Sequence, residues 1–586
     1  MRLTAEQLSV IDTNEDLVIN AVAGSGKTTT LIEYARSRSS DSKILYLAFN
    51  KTVKSEAIQK FEKAGLNNVK VETAHSLAFD HIIKFSQFKL VPGYKSYEWC
   101  DILGIKSGDW LTDFIIASHV NKFISYFCNS TVEKIQELNY ASVITDPAAQ
   151  KFVHNFYGLI EKLTRSALAK MDKAEIGVTH DFYLKKFQLG NPILEYDYIL
   201  FDEGQDASGA MLDVFLKQRA IKVIVGDAHQ QIYGWRYAIN SLQRVNFPVH
   251  NLSNSFRFDD EIALVANKVL GWKKHLHLSP ATKIIGAGQR SDILTKATLG
   301  RTNLSLLVNA ISRWQHGEIK KIFFEGNINS YTFADEGASL YDVLNLYNGK
   351  TDKIRDKLIG SMSSMRDLDD YIKKTEDNSL AVIVEVVKEF GNRLPSLINE
   401  LKSNHTAKKE EADMIFSTVH RCKGMEYDEV TLLNDFINEG KLKKYIEQAG
   451  ADKIDELNKN RLSEEVNILY VAVTRARSNL IIPPDINPLN SVRVAPPPSV
   501  LFSNPYRNFS LDEEPDSYLR TKYDRNRFPK SSNRGKKWTD EEEHLLGELY
   551  KQGEPLEEIA KRLERGRNGV RIKLVELGLV DESGEL

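Results

Sequence analysis

Cysteine is scarce in this chain, with three in 586 residues, at Cys100, Cys128 and Cys422. That spacing makes neither a disulfide framework nor a zinc ladder, and it suits a reducing compartment. No apolar run approaches the length of a membrane span. The opening residues, MRLTAEQLSV, lack the apolar core of a signal peptide. An intracellular location with no membrane partner is therefore expected. An excess of charge of one sign is also missing. The net charge of −2 excludes a uniformly basic nucleic-acid coat, so any basic surface must be local. What is present is 42% hydrophobic and 27% charged residues, the balance of a folded globular protein. The length calls for three to five structural units.

Apolar runs punctuated by turn residues give the organisation. LVINAVAG, KILYLAFN (43–50) and NVKVETAH (68–75) read as strands separated by helical patterns, which indicates a parallel sheet covered on both faces. From 81 to 192 helical, aromatic-rich segments such as WLTDFIIASHVNKFISYF take over. Strand character returns in YDYILFDE (196–203) and IKVIVGD (221–227). The expected fold class is α/β. One unit is formed by 1–80 and 193–248, with a helical insertion at 81–192. A second is formed by 249–344 and 412–482, with a short polar, helical insertion at 345–411. The proline-rich PPDINPLNSVRVAPPP stops regular structure. A linker with a basic arm follows to 535, and a small all-helical domain is expected at 536–580.

VINAVAGSGKTTTLIEY, from Val18, is strand, glycine loop and helix N-terminus in one stretch. Backbone N–H groups across Ala23, Gly24, Ser25, Gly26, Lys27, Thr28 and Thr29 would cradle phosphate oxygens. Lys27 would reach the β and γ phosphates of ATP, and Thr28 would ligate Mg²⁺. The usual pattern has glycine where Ala21 stands. YILFDEGQD supplies the acid such a loop needs at a strand end: Asp202 for the metal, Glu203 to orient or deprotonate the attacking water. In VIVGDAHQQIYGWRYA (223–238), Gln230 could sense the γ-phosphate. Tyr233 and Trp235, beside Arg236, could stack on unpaired bases; read on this stretch alone, they serve equally well as core aromatics.

Further along stand SNSFRF (253–258), STVHRCKGMEYDEV (417–430) and EEVNILYVAVTRARSNL (464–480). Taken in order with the earlier stretches, they resemble the UvrD-like branch of superfamily 1 helicases, closest to the helicase region of F-box DNA helicases. The resemblance covers about 1–482, and no F-box is expected in this chain. It implies two RecA-like domains with ATP between them and 3′→5′ movement on single-stranded DNA and at DNA junctions. Gln7 would read adenine and Phe256 stack on it. Glu426 would contact the ribose, and Arg257 and Arg475 would be arginine fingers. Phe49, Asn50, His75 and His420 match motifs that line the strand path. The 81–192 and 345–411 insertions sit where the family carries its 1B and 2B subdomains. Val22 and Tyr237 replace glycines common in the family. A non-unwinding, ATP-gated DNA-binding or protein-remodelling switch is the second reading. The location implied is nucleoid-associated cytoplasm in a prokaryotic or viral host and the nucleus in a eukaryotic one.

The last segment, from Lys536, repeats apolar residues at helical spacing: Trp538, Leu545, Leu546, Leu549, Leu556, Ile559, Leu563, Val570, Leu574 and Leu577. Thr539 is a candidate N-cap. The pattern resembles Myb/SANT-like domains, with Arg567, Asn568, Arg571 and Lys573 expected to face out from a third helix. From Arg520 to Lys537 there are eight basic residues and one acid, a local net of +7 that suits duplex phosphates.

Overall fold

The computed structural model describes residues 3–489, apart from 279–280, 327, 332–339 and 450–455. It also describes residues 538–579, apart from 553, 555, 564, 566–569, 571–572, 575 and 578. The chain divides into two compact units, between residues 499 and 500.

In the first unit six strands form one sheet: β1 (Leu17–Ala21), β2 (Ile44–Ala48), β3 (Val69–Thr73), β4 (Tyr198–Phe201), β5 (Ile221–Gly226) and β6 (Val249–Leu252). Their order is β3-β2-β4-β5-β1-β6, and every pairing is parallel. The inner strands are buried almost end to end, as strands covered on both faces must be. The helix Lys51–Lys63 starts where the Asn50 side chain accepts from the Val53 N–H, and the helix Ala74–Ile82 where Thr73 caps it. β6 corrects the boundary expected at 249, because it pairs with β1 and completes the first sheet.

β7 (Asn254–Ser255) and β8 (Ile285–Gly286) form a small ribbon. The second sheet holds β9 (Lys296–Gly300), β10 (Ile322–Phe324), β11 (Met414–Thr418), β12 (Tyr427–Leu432) and β13 (Ala476–Ile481), in the order β10-β11-β9-β12-β13 and again all parallel. The protein is thus α/β with two parallel sheets. Among the described residues no helix is long and apolar enough to cross a membrane.

Both insertions are helical. The first includes Trp110–Asn129, capped by Asp109, and Pro147–Asp172, capped by Asp146 with proline at its first position. The second includes Met365–Thr375, Asn378–Phe390 and Leu394–Ser403, and its helical packing already begins at Leu340–Tyr347, ahead of the expected start at 345. The two insertions are clasped together. Lys122 Nζ donates to the carbonyls of Thr375 at 2.5 Å and Glu376 at 3.1 Å, a cation at a helix C-terminus. One oxygen of Glu376 accepts from the N–H groups of Thr145 and Asp146, both at 2.7 Å. His119, fully buried, donates from Nε2 to the Lys374 carbonyl at 2.8 Å and accepts from the Tyr140 hydroxyl at 2.9 Å.

The C-terminal unit has helices Asp540–Lys551 and Leu556–Arg562. Thr539 caps the first in a capping box with Glu542. Leu546, Leu549, Ile559, Leu563, Val570 and Leu574 are buried together, whereas Leu545 and Leu577, which share the helical spacing, are exposed. Lys573, expected to face outward, pairs with Glu543 at 2.8 Å and Glu576 at 2.9 Å. Arg567, Asn568 and Arg571 lie outside the described residues, as does the basic arm.

Burial pushes the His119 pKa down to about 4. The unfolded histidine takes its proton near pH 6.5, so between 6.5 and 4 the unfolded chain binds more protons and stability falls as pH falls. Thermal unfolding of the wild type should drop across that window, by about 1.4 kcal/mol per pH unit from this group alone. The His119→Gln variant should lose that share of the slope. Equal slopes in the two proteins would contradict a neutral His119.

Candidate active site

The end of β1 runs into a glycine loop and the helix Lys27–Arg36. Gly24 and Gly26 have φ of +76° and +79°, the region that side chains strain to adopt. At Gly24 a Cβ would also lie 2.6 Å from Arg257 Cβ and 2.7 Å from Ser255 Oγ. The loop therefore lies hard against the segment after β7, whose Phe256 N–H donates to the Gly24 carbonyl at 2.9 Å. The Ser25 hydroxyl is buried in this loop without a partner among the described residues. Thr28 and Thr29 occupy the first helical turn.

Charges gather where β1, β4 and β5 end. Lys27 Nζ bonds Glu203 at 2.7 Å. Burial works against the charged form of that carboxyl, yet Lys27 and Lys423 outweigh it and hold Glu203 down to about 2. Glu203 itself sits at φ +54°, a strained conformation for a side-chain-bearing residue at a strand end. Asp202 is pushed up by burial and by Glu203 beside it. Its oxygens accept from the Glu203 N–H at 2.9 Å and from the Tyr46 hydroxyl. Asp206, also buried, is pushed up to about 6 even with Lys423 paired to it. Asp202, Glu203, Asp206 and Asp227 thus gather around Lys27 and Lys423. Among the described residues no cluster of three or more His, Cys, Asp or Glu could hold a metal alone. Magnesium asks for less: a carboxylate or two plus substrate oxygens. Asp202, just after β4, and Thr28, in the first turn of the helix Lys27–Arg36, are oxygen donors of that kind.

Most of the residues expected around a nucleotide come together. Gln7 is buried and donates to Thr30 Oγ1 at 3.1 Å. A Cβ on Gly26 would meet Gln7 Nε2 at 3.2 Å and the Phe256 ring at 4.0 Å. Gln230 donates to Asp227 at 2.9 Å, and the Tyr470 hydroxyl donates to the same carboxylate at 2.8 Å. Arg257 and Glu426, expected in different roles, are paired with each other at 2.7 Å. Arg475 is fully buried, its guanidinium donating to the carbonyls of Val471 and Met425 at 3.0 and 3.1 Å. It lies close enough to Arg257 to depress that guanidinium's pKa further, after burial, to about 10.

A second cluster lies beyond Gln230. Phe49 stacks on Tyr233 with ring centroids 5.8 Å apart. Tyr233 donates to the His420 carbonyl at 3.1 Å, and His420 Nε2 donates to the Ile232 carbonyl at 3.1 Å. Trp235 is 61% exposed with the Arg236 guanidinium 4.5 Å from its ring, so the core-aromatic reading fails for Trp235. Tyr233 is half-buried. The side-chain oxygen of Asn50 is spent on its helix cap. His75 packs half-buried against Tyr183 and His180, with burial lowering its pKa. Tyr237 takes φ +58°, the conformation for which glycine is the easier choice.

Sequence reasoning missed Tyr46, Asp206, Lys423 and Tyr470. Tyr46 left one trace, a hydroxyl inside an otherwise apolar strand. Lys423 and Tyr470 lie within the quoted stretches, but their partners Asp206 and Asp227 are distant in sequence.

A sequence profile of the UvrD-like helicase C-terminal domain matches residues 112–483. F-box DNA helicase 1 of Gallus gallus is 28% identical over 518 residues, which cover 82% of this chain and 49% of that protein. F-box DNA helicase protein 1 of Schizosaccharomyces pombe is 29% identical over 535 residues, covering 82% and 57%. The chain spans about half the length of the curated relatives it matches.

Lys423 and Asp206 form a buried ion pair. Removing the lysine alone leaves a buried carboxyl without its bonded cation, a change that costs up to about 3–5 kcal/mol in comparable sites. Lys423→Met should therefore lower unfolding free energy by that order in urea titration, and Lys423→Met with Asp206→Leu should recover much of it. A single variant as stable as the wild type would contradict the pairing.

Proposed function

The chain belongs to the UvrD-like helicase family, and from that premise we propose that it is an ATP-dependent DNA helicase moving 3′→5′ along single-stranded DNA. One observation carries the reading. A single polar network joins the phosphate loop to the stretch that ends in the exposed Trp235: the Ala23 N–H approaches the Tyr470 hydroxyl at 3.4 Å, Tyr470 bonds Asp227, and Asp227 bonds Gln230. Nucleotide chemistry and base stacking then share one segment of chain.

In this reading Gln7 and Phe256 hold adenine, and Lys27 leaves Glu203 for the β and γ phosphates. Glu203, freed and already ionised, orients or deprotonates the attacking water. Thr28 and Asp202 hold magnesium, which when bound neutralises charge on the phosphate oxygens. Arg257 and Arg475 stabilise the charge that spreads during transfer; Glu426, released by Arg257, turns to the ribose. Phe49, Tyr233, Trp235 and Arg236 form the base platform, with His420, Asn50 and His75 along the strand path. Single strands and junctions are the proposed substrates, and the nucleus is the proposed location in a eukaryotic host.

Strand displacement tests the proposal. A duplex with a 3′ single-stranded tail should be unwound with ATP, and one with a 5′ tail should not. Lys27→Ala should lose both ATP turnover and unwinding. Trp235→Ala should keep basal turnover and lose unwinding, since a stacking side chain contributes about 1–3 kcal/mol per base. Displacement from the 5′ tail alone would overturn the polarity. Unchanged unwinding by Trp235→Ala would remove that residue from the platform.

The C-terminal unit is proposed to grip duplex DNA, on the charge of the preceding arm and the Myb/SANT-like pattern. Cutting the chain after about residue 515 should flatten the dependence of blunt-duplex affinity on salt, by about 0.9 in log–log slope for each phosphate no longer neutralised. An unchanged slope would make the unit a protein-docking module instead.

A further inference from the structure

The stretch from Asp227 to Gly234 carries Gln230 and leads into Trp235. Three residues outside the roles above fasten it to the other sheet's helices. Lys273, in the short helix Trp272–Leu276, is 6% exposed. Its Nζ lies 3.0 Å from His229 Nδ1 and donates to Asn467 Oδ1 at 2.5 Å. Asn467, 4% exposed, donates from Nδ2 to the Gln231 carbonyl at 2.8 Å. Glu464, one turn earlier on the helix Glu456–Val473, accepts from the Gly234 N–H at 3.1 Å. Both neighbours of Gln230 are therefore tied to this group, and the helix that ties them leads directly to Arg475.

Lys273 is an expensive way to fill this space. Its bonded partners are two neutral groups, with Asp227 the nearby negative charge. Burial pulls the ammonium down to about 7 and His229 down to about 4, so the ring is the neutral acceptor. A methionine would occupy similar volume without the desolvation cost, but it would leave His229 Nδ1 and Asn467 Oδ1 without their donor. Apolar packing gives no reason for a lysine here, whereas directional bonds to His229 and Asn467 do. The same logic applies to Asn467, whose amide satisfies Lys273 on one side and the Gln231 backbone on the other.

We propose that Lys273 and Asn467 are positioning residues that couple the nucleotide cleft to the base platform. They keep His229 and Gln231 in register with the helix leading to Arg475. A shift of that helix when the phosphates change is then passed through the Gln230 segment to Tyr233 and Trp235. The proposal rests on the reading of the site as an ATP cleft beside a strand path.

Its test compares the full chain with Lys273→Met, Asn467→Leu and, as a control, Lys274→Met, which removes the same charge at the adjacent exposed position. ATP hydrolysis is measured without DNA and across a titration of single-stranded oligonucleotide, with thermal unfolding in parallel. Lys273→Met and Asn467→Leu should keep basal hydrolysis and half-saturating DNA within about twofold while the maximal stimulated rate falls about tenfold, the size of a typical coupling between sites. Lys273→Met and Asn467→Leu should still unfold in one cooperative transition well above the assay temperature, and Lys274→Met should behave as the wild type. Full stimulation in both variants overturns the proposal. So does a parallel fall in basal and stimulated rates, which would make the pair a support of the nucleotide site itself. A wild type with ATP turnover that DNA does not change would strike the underlying reading, and the coupling with it.

Discussion

Two lysines compensate the carboxylates buried at the ends of β4 and β5, and they come from opposite sides of the cleft. Lys27 follows β1 in the first sheet, and Lys423 follows β11 in the second. A buried carboxylate without a nearby cation costs several kcal/mol, so the acids at 202, 203 and 206 bind the two halves together. The same condition makes the site responsive. In the proposed function, a phosphate chain that took Lys27 away from Glu203 would change the charge balance around the Lys423–Asp206 pair. Asp202 and Asp206, both pushed up by burial, mark where carboxyl groups are held away from water.

The glycine loop fits the same constraint. Any Cβ at Gly24 would collide with Arg257 and Ser255, so the segment after β7 packs directly on the glycine loop with no side chain between them. Away from the cleft, the insertions meet through backbone carbonyls, an ammonium and a neutral histidine. Such bonds are directional, and they add to an apolar core that residues of both insertions share. The exposed Trp235 and Arg236 stand apart from both contacts, on the segment that the Asp227 network holds.

Much of this was legible in the sequence. β1, β2, β4 and β5 are buried on both faces, so they read as unbroken apolar runs. The glycine loop and the Asp202–Glu203 pair carry their chemistry in adjacent residues. β6 was missed because VHNL is short and half polar, and its place is set by pairing with β1 rather than by its own pattern. β9 (KATLG) is equally muted. The Arg257–Glu426 and Lys423–Asp206 pairs span 169 and 217 residues, and no local spacing encodes them. Asn50 shows the opposite limit: its motif position suggested the strand path, while its side-chain oxygen serves a helix cap. Local propensity and motif reading picked the same residue for different work.

The central claim is that one segment links phosphate chemistry to a base-stacking surface. Steady-state ATP turnover by the full chain, measured alone and with saturating single-stranded DNA, tests it most directly. The account predicts that the single strand raises turnover at least several-fold, in line with couplings of about 1–3 kcal/mol between sites. Turnover that is the same with and without DNA would contradict it.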